Sequence, residues 1–142
     1  MFHLIKNANV FAPQAMGLCH VLVVAEKIIY IGAHEPVLDD IFDVEVVDLA
    51  GASLVPGLID GHAHITGGGG ETGPASRVPP VFLSQFTHSG VTSVVGVLGT
   101  DDLTRNTQSI VTQAYSLREE GMSAWCHTGG YHVPLTTLTG SA

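Results

Sequence analysis

The sequence predicts a mixed fold: a β-sandwich portion over residues 1–53, then the first three strands of a (β/α)8 barrel over residues 54–142. Three observations lead there. Residues 2–53 break into short runs rich in Val and Ile, separated by turn-prone residues. From Ser53 onward apolar runs recur roughly every 30–40 residues with helical patterns between the later ones, the repeat of a βαβ unit. Charged residues make up 13% and hydrophobic ones 45%, against about 25% charged in an ordinary soluble domain. Strands buried on both faces, a large subunit interface, or both, produce that deficit.

Phe2–Asn9, Val21–Ala25, Lys27–Ile31 and Val44–Leu49 read as strands of a small sandwich or open sheet. Ala12-Pro13, Gly17, Gly32 and Glu35-Pro36 punctuate them. Ser53–Ile59 reads as one apolar strand with a Pro-Gly interruption. Pro79–Ser89 fits a short helix that Gly90 ends. Val91–Leu98 is β-branched and apolar on both sides, as a buried parallel strand requires. Asp101–Glu120 reads as a longer helix, with Thr100 or Asp101 as its cap and Gly121 at its end. Leu103, Ile110, Val111, Ala114 and Leu117 give most of one face. Ser123–Thr128 is a third buried strand, running into Gly129-Gly130-Tyr131. A complete barrel takes about 250 residues and only about 90 follow the front section, so the chain reads as the beginning of a barrel.

Composition excludes several functions. A formal charge of −8 with five Lys and Arg builds no basic patch for nucleic acid and no attraction to an anionic membrane. Cys19 and Cys126 lie too far apart in sequence to indicate a disulfide framework. The opening MFHLIKNANVF lacks the apolar core of a signal peptide, and the run Val21–Ala25 is too short for a membrane span. A cytoplasmic protein is expected.

The chemistry concentrates in LVPGLIDGHAHITGGGGETG, residues 54–73. On an extended strand residues two apart share a face, so His62 and His64 can point at one metal ion. Zinc takes imidazole nitrogen at about 2.0–2.1 Å. The pair follows an apolar strand and so stands at its C-terminal end, where barrel enzymes carry their chemistry. Two ligands do not complete a catalytic site. The plainer reading is a pair of partly exposed loop histidines.

Asp60 reads equally as a carboxylate orienting a ligand ring or as a strand-end turn residue. Gly67–Gly70 match no phosphate motif; they form a mobile loop, or a loop whose N–H groups face a substrate carboxylate. Glu71 is a partner for a cationic substrate group or a plain surface carboxylate. Tyr131 donates to a developing oxyanion or simply packs. Thr100 touches substrate or caps the helix. His3, His20, His34 and His88 read as structural or surface residues, and His127 and His132 stay undecided.

At these residues the chain resembles a known family. VVDLAGASLVPGLIDGHAHI, LIKNANVF and EKIIYIG look like the amidohydrolase superfamily, in which a front β-sandwich leads into a metallo-barrel. HAHITGGGGETGPASRVP, GVTSVVGVLGTD and GGYHVPLTTLTGS are similar to isoaspartyl (β-aspartyl) dipeptidases, and the resemblance runs through essentially all 142 residues. It implies that His62 and His64 bind the more buried zinc of a binuclear pair. It implies that Glu71 holds the free α-amino group, that the Gly69 backbone and Thr100 contact the α-carboxylate, and that Tyr131 polarises the scissile carbonyl. The nucleophile implied is a bridging hydroxide, since metal lowers the pKa of water to about 7. A small peptide substrate and a homo-oligomer are implied as well.

The family's bridging carbamylated lysine, two further histidines, acid–base aspartate and leaving-group arginines all lie later in the barrel. The chain therefore reads as an N-terminal portion that alone lacks the full site and is inactive. The activity expected of the complete protein is metal-dependent hydrolysis of β-aspartyl dipeptides. Two alternatives stand beside it: another amidohydrolase acting on cyclic amides, of dihydroorotase or hydantoinase type, and a non-catalytic relative that keeps the fold for assembly.

Overall fold

A computed structural model describes residues 1–102 and 104–140. Leu103, expected on the face of the longer helix, lies outside them. The chain forms two compact units, Met1–Pro56 and Gly57–Ala142. The division falls three residues beyond the one expected after Ser53.

The first unit is one five-stranded mixed sheet. Its strands are β1 (Phe2–Phe11), β2 (Ala15–Val24), β3 (Lys27–Gly32), β4 (Val44–Asp48) and β5 (Ser53–Leu54). The order is β3-β2-β1-β4, with β5 also on β1. β1–β2 and β2–β3 pair antiparallel, whereas β4 and β5 pair parallel to β1. Ala8, Val10, Cys19 and Val21 form its buried cluster. The register of β1 against β2 shifts between Ile5 and Ala8, where Asn7 adopts φ 53°. Asparagine tolerates this left-handed backbone better than most residues. The Asn7 amide nitrogen lies 2.9 Å from both oxygens of Asp48. That bond, with the Ala50 amide, holds the Asp48 carboxyl below the usual carboxylate range.

The expected strand Ser53–Ile59 is two strands. Ser53 and Leu54 pair with Asn9 and Val10 in the front sheet. The chain then breaks at Val55-Pro56-Gly57, and β6 (Leu58–Ala63) enters the second unit. Proline cannot donate to a ladder, which is why the apolar run is cut there.

The second unit holds a parallel sheet in the order β6-β7-β8, with β7 Val91–Gly96 and β8 Ser123–Cys126. A 3-10 turn at Pro74–Ser76 and helix α1 (Leu83–His88) separate β6 from β7, and helix α2 (Thr107–Glu119) separates β7 from β8. α2 is shorter than Asp101–Glu120. Neither Thr100 nor Asp101 caps it; the Asn106 side chain does, accepting from the Ser109 N–H at 2.8 Å. At the other end Gly121 has φ 96°, its N–H donates to Arg118 at 3.0 Å, and the Met122 N–H donates to Leu117 at 2.9 Å. This double closure with Met122 and Leu117 both buried is a Schellman end.

Ile110, Ala114 and Leu117 of α2 meet Ala63, Ile65, Phe86, Val94, Met122 and Ala124 in a single buried cluster. The outer strands are less buried than their apolar sequences predict. Ile59 on β6 is 75% exposed and Trp125 on β8 is 52% exposed. Both strands are sheet edges among the described residues, so only β7 has a strand on each side. No helix among the described residues is long and apolar enough to cross a membrane.

Candidate active site

Parallel strands end at one edge of their sheet, and three loops leave that edge. The ladder runs on slightly past the strands: the Val97 N–H donates to Ala63 and the His127 N–H to Gly96, each at 2.9 Å. The C-terminal end of β6 and the segments that follow β6, β7 and β8 line a cavity of about 460 Å³. His62, His64, Glu71, Thr100 and Tyr131 all line it, together with His127. Five of the six residues picked from the sequence therefore meet in one place.

Gly69 does not line the cavity. Its carbonyl is held by the Arg105 guanidinium, Nη1 at 3.1 Å, while Nη2 reaches the Gly68 carbonyl at 2.7 Å. The Arg105 side chain is 5% exposed and stands 3.6 Å from Asp101. Gly67, Gly69 and Gly70 have φ of 90°, 68° and 105°, values a side chain would resist. The Gly67 N–H donates to His64 at 2.9 Å and the Val78 N–H to Gly68 at 3.0 Å. This loop is thus bonded at both ends and gripped by a buried cation, unlike the mobile loop of the plainer sequence reading.

The His62 and His64 rings lie 5.5 Å apart at 69°. The Asp60 carboxylate accepts the His62 backbone N–H at 2.9 Å, so it fixes the turn. His64 Nδ1 is buried and has no hydrogen-bond partner among the described residues. An orphaned buried nitrogen costs free energy unless something coordinates it. Gly99, at φ 81°, leaves room for the ring: a Cβ there would sit 2.9 Å from His64 Nδ1 and Cε1. The pair thus fits a divalent metal as two imidazole donors. No group of three or more His, Cys, Asp or Glu that could hold a metal occurs among the described residues.

The Thr100 hydroxyl donates to Glu71 Oε1 at 2.7 Å. That bond is the main reason the Glu71 carboxyl lies below its ordinary range, so Glu71 presents an anion to the cavity. Tyr131 is 68% exposed.

Sequence reading missed Asp102 and Arg105, both buried, and left His127 and His132 undecided. His127 lines the cavity, and His132 pairs with Asp102 at 2.5 Å. The signal was the run Asp101-Asp102 followed by Arg105 between two apolar elements, in a chain with only five basic residues. Such charges stay buried only when paired.

The chain is similar to known proteins in sequence and fold. No family model matches the chain. Two structures of the β-aspartyl dipeptidase of Fervidobacterium islandicum AW-1 are 44% identical to it over 99% of its length, with TM-scores of 0.85 and 0.87. The first of these holds a β-Asp-Leu dipeptide. The dihydropyrimidinase of Brevibacillus agri NCHU1002 is 25% identical over 89% of the chain, with a TM-score of 0.57. The enamidase of Eubacterium barkeri is 32% identical over 74 residues, 52% of the chain. The chain spans 36% and 38% of the two dipeptidase structures, 27% of the dihydropyrimidinase and 18% of the enamidase. In sequence and in fold, across nearly its whole length, it is similar to somewhat over a third of a β-aspartyl dipeptidase.

Proposed function

We propose that the protein carrying this chain hydrolyses β-aspartyl dipeptides with the help of a divalent metal. The convergence of His62, His64, Glu71, Thr100 and Tyr131 on one cavity carries this reading. The similarity to the dipeptidases supports it.

His62 and His64 would supply two ligands to zinc. When bound, such an ion polarises a carbonyl oxygen and lowers the pKa of a coordinated water. Glu71 would take the substrate's free ammonium. Its partner Thr100 then changes role. A hydroxyl has one proton, and here it is spent on Glu71. An ammonium arriving at Glu71 replaces that donor, and the freed hydroxyl turns to the substrate's α-carboxylate. Tyr131 would donate its phenolic proton in a hydrogen bond to the scissile carbonyl as negative charge develops there. The same reading carries a homo-oligomer, with which the low charged fraction of 13% is compatible, and a cytoplasmic location.

The dihydropyrimidinase likeness favours a second reading, hydrolysis of a cyclic amide. A cyclic amide offers no ammonium, so Glu71 would have no partner. One assay separates the two. The whole protein is incubated with β-Asp-Leu, hydantoin or dihydroorotate, before and after chelation and after zinc is restored. Turnover of β-Asp-Leu that chelation removes and zinc returns is the expected result. Turnover of the cyclic amides alone overturns the substrate. Activity indifferent to chelation overturns the role of the histidines, and a protein that neither holds metal nor acts on any of the three is the non-catalytic relative.

A further inference from the structure

Asp102 has no part in the reading above, yet its side chain is only 2% exposed. A buried carboxylate is costly unless donors surround it. Here three donors come from two consecutive residues of the loop after β8. The Tyr131 N–H donates to Oδ2 at 3.0 Å and the His132 N–H to the same oxygen at 3.2 Å. His132 Nδ1 lies 2.5 Å from Oδ1. A carboxylate only accepts, so that ring nitrogen carries the proton. Burial pushes the Asp102 carboxyl up, but the His132 amide, the His132 ring and the Tyr131 amide together outweigh it and hold the group below the usual range.

The same bonds reach the Tyr131 side chain. The His132 ring, held by Asp102, stands edge-on to the Tyr131 ring, with centroids 5.6 Å apart at 89°. Tyr131 is 68% exposed, so little packing fixes its direction. The Tyr131 backbone amide and the His132 ring that its side chain meets are both tied to one carboxylate. At Gly130 the chain passes so near that a Cβ would lie 2.6 Å from Asp102 Oδ2.

We propose that Asp102 is a positioning residue that aims the Tyr131 phenol into the cavity, through the Tyr131 amide and the His132 ring. It rests on the reading of Tyr131 as hydrogen-bond donor to the scissile carbonyl. Asp102 itself lines no part of the cavity.

The test is a double-mutant cycle in the whole protein with β-Asp-Leu as substrate, using Asp102→Asn, Tyr131→Phe and the pair. Asp102→Asn should lower kcat by about 10–100-fold while KM moves less than about 3-fold. Added to Tyr131→Phe, it should lower kcat by no more than about 3-fold further. Fully multiplicative losses, or a loss confined to KM, overturn the proposal and leave the Tyr131 role standing. An unchanged kcat in Tyr131→Phe overturns that role and the proposal with it. Should Asp102→Asn fail to fold, Gly130→Ala replaces it in the cycle. It pushes a methyl against Oδ2 at a backbone angle alanine accepts, and the same outcomes decide.

Discussion

The two units use their polar side chains differently. In the front sheet the side-chain bonds are spread out: Asn7 ties β1 to Asp48 at the end of β4, and Tyr30 reaches the His34 carbonyl beyond β3. In the second unit several of them converge on Asp101, Asp102 and Arg105, in the connection between β7 and α2. The apolar residues differ too. The front cluster joins four buried residues, and the second joins nine that bind helix to sheet. A tight apolar base under α2 leaves the strand ends free to carry charge. The front sheet spreads its polar pairs over separate segments, whereas the second unit gathers several of them in one connection.

The sharpest way to break this comparison is to damage each base. Ile65→Ala should cost about 2–5 kcal/mol, because Ile65 is fully buried one residue from His64. Val21→Ala in the four-residue front cluster, at a side chain 2% exposed, should cost less, about 1–2 kcal/mol. Urea unfolding of the whole protein measures both, and equal losses would erase the contrast.

A smaller effect is expected from the polar hub. Arg105→Gln removes the cation from the Gly68 and Gly69 carbonyls. The glycine loop should then become open to limited proteolysis between residues 66 and 73, and KM for β-Asp-Leu should rise about 10-fold. A loop as resistant as before would mean that its own backbone bonds suffice.

The smallest effect concerns Glu71. Its carboxyl is depressed, so its anion, and any ammonium binding that depends on it, is present above that lowered value and lost as pH falls through it. Thr100→Val removes the main cause of the depression, and the acid limb of kcat/KM should move to higher pH. An unmoved limb would show that Glu71 does not govern it.

Local patterns made much of this visible from residues alone. Short runs rich in Val and Ile between turn-prone residues marked the front strands, and Gly90 and Gly121 marked the helix ends, because backbone preference acts within a few residues. The parallel pairing of β4 and β5 on β1 was not readable, since strand partners are chosen across long separations. The run Ser53–Ile59 misled because apolarity does not say which sheet a residue joins. His62, His64 and Glu71 stood out by residue type and spacing. Asp102 and Arg105 did not, because a buried charge is identified by partners about 30 positions away.

The connection from Gly99 to Asn106 reaches the glycine loop through Arg105 and the tyrosine loop through Asp102. Randomising it in a library meant to broaden substrate range would disturb both rims of the pocket together, so most members would lose turnover before gaining a new preference. Diversity is better introduced elsewhere on the rim, with this hinge of charges left untouched.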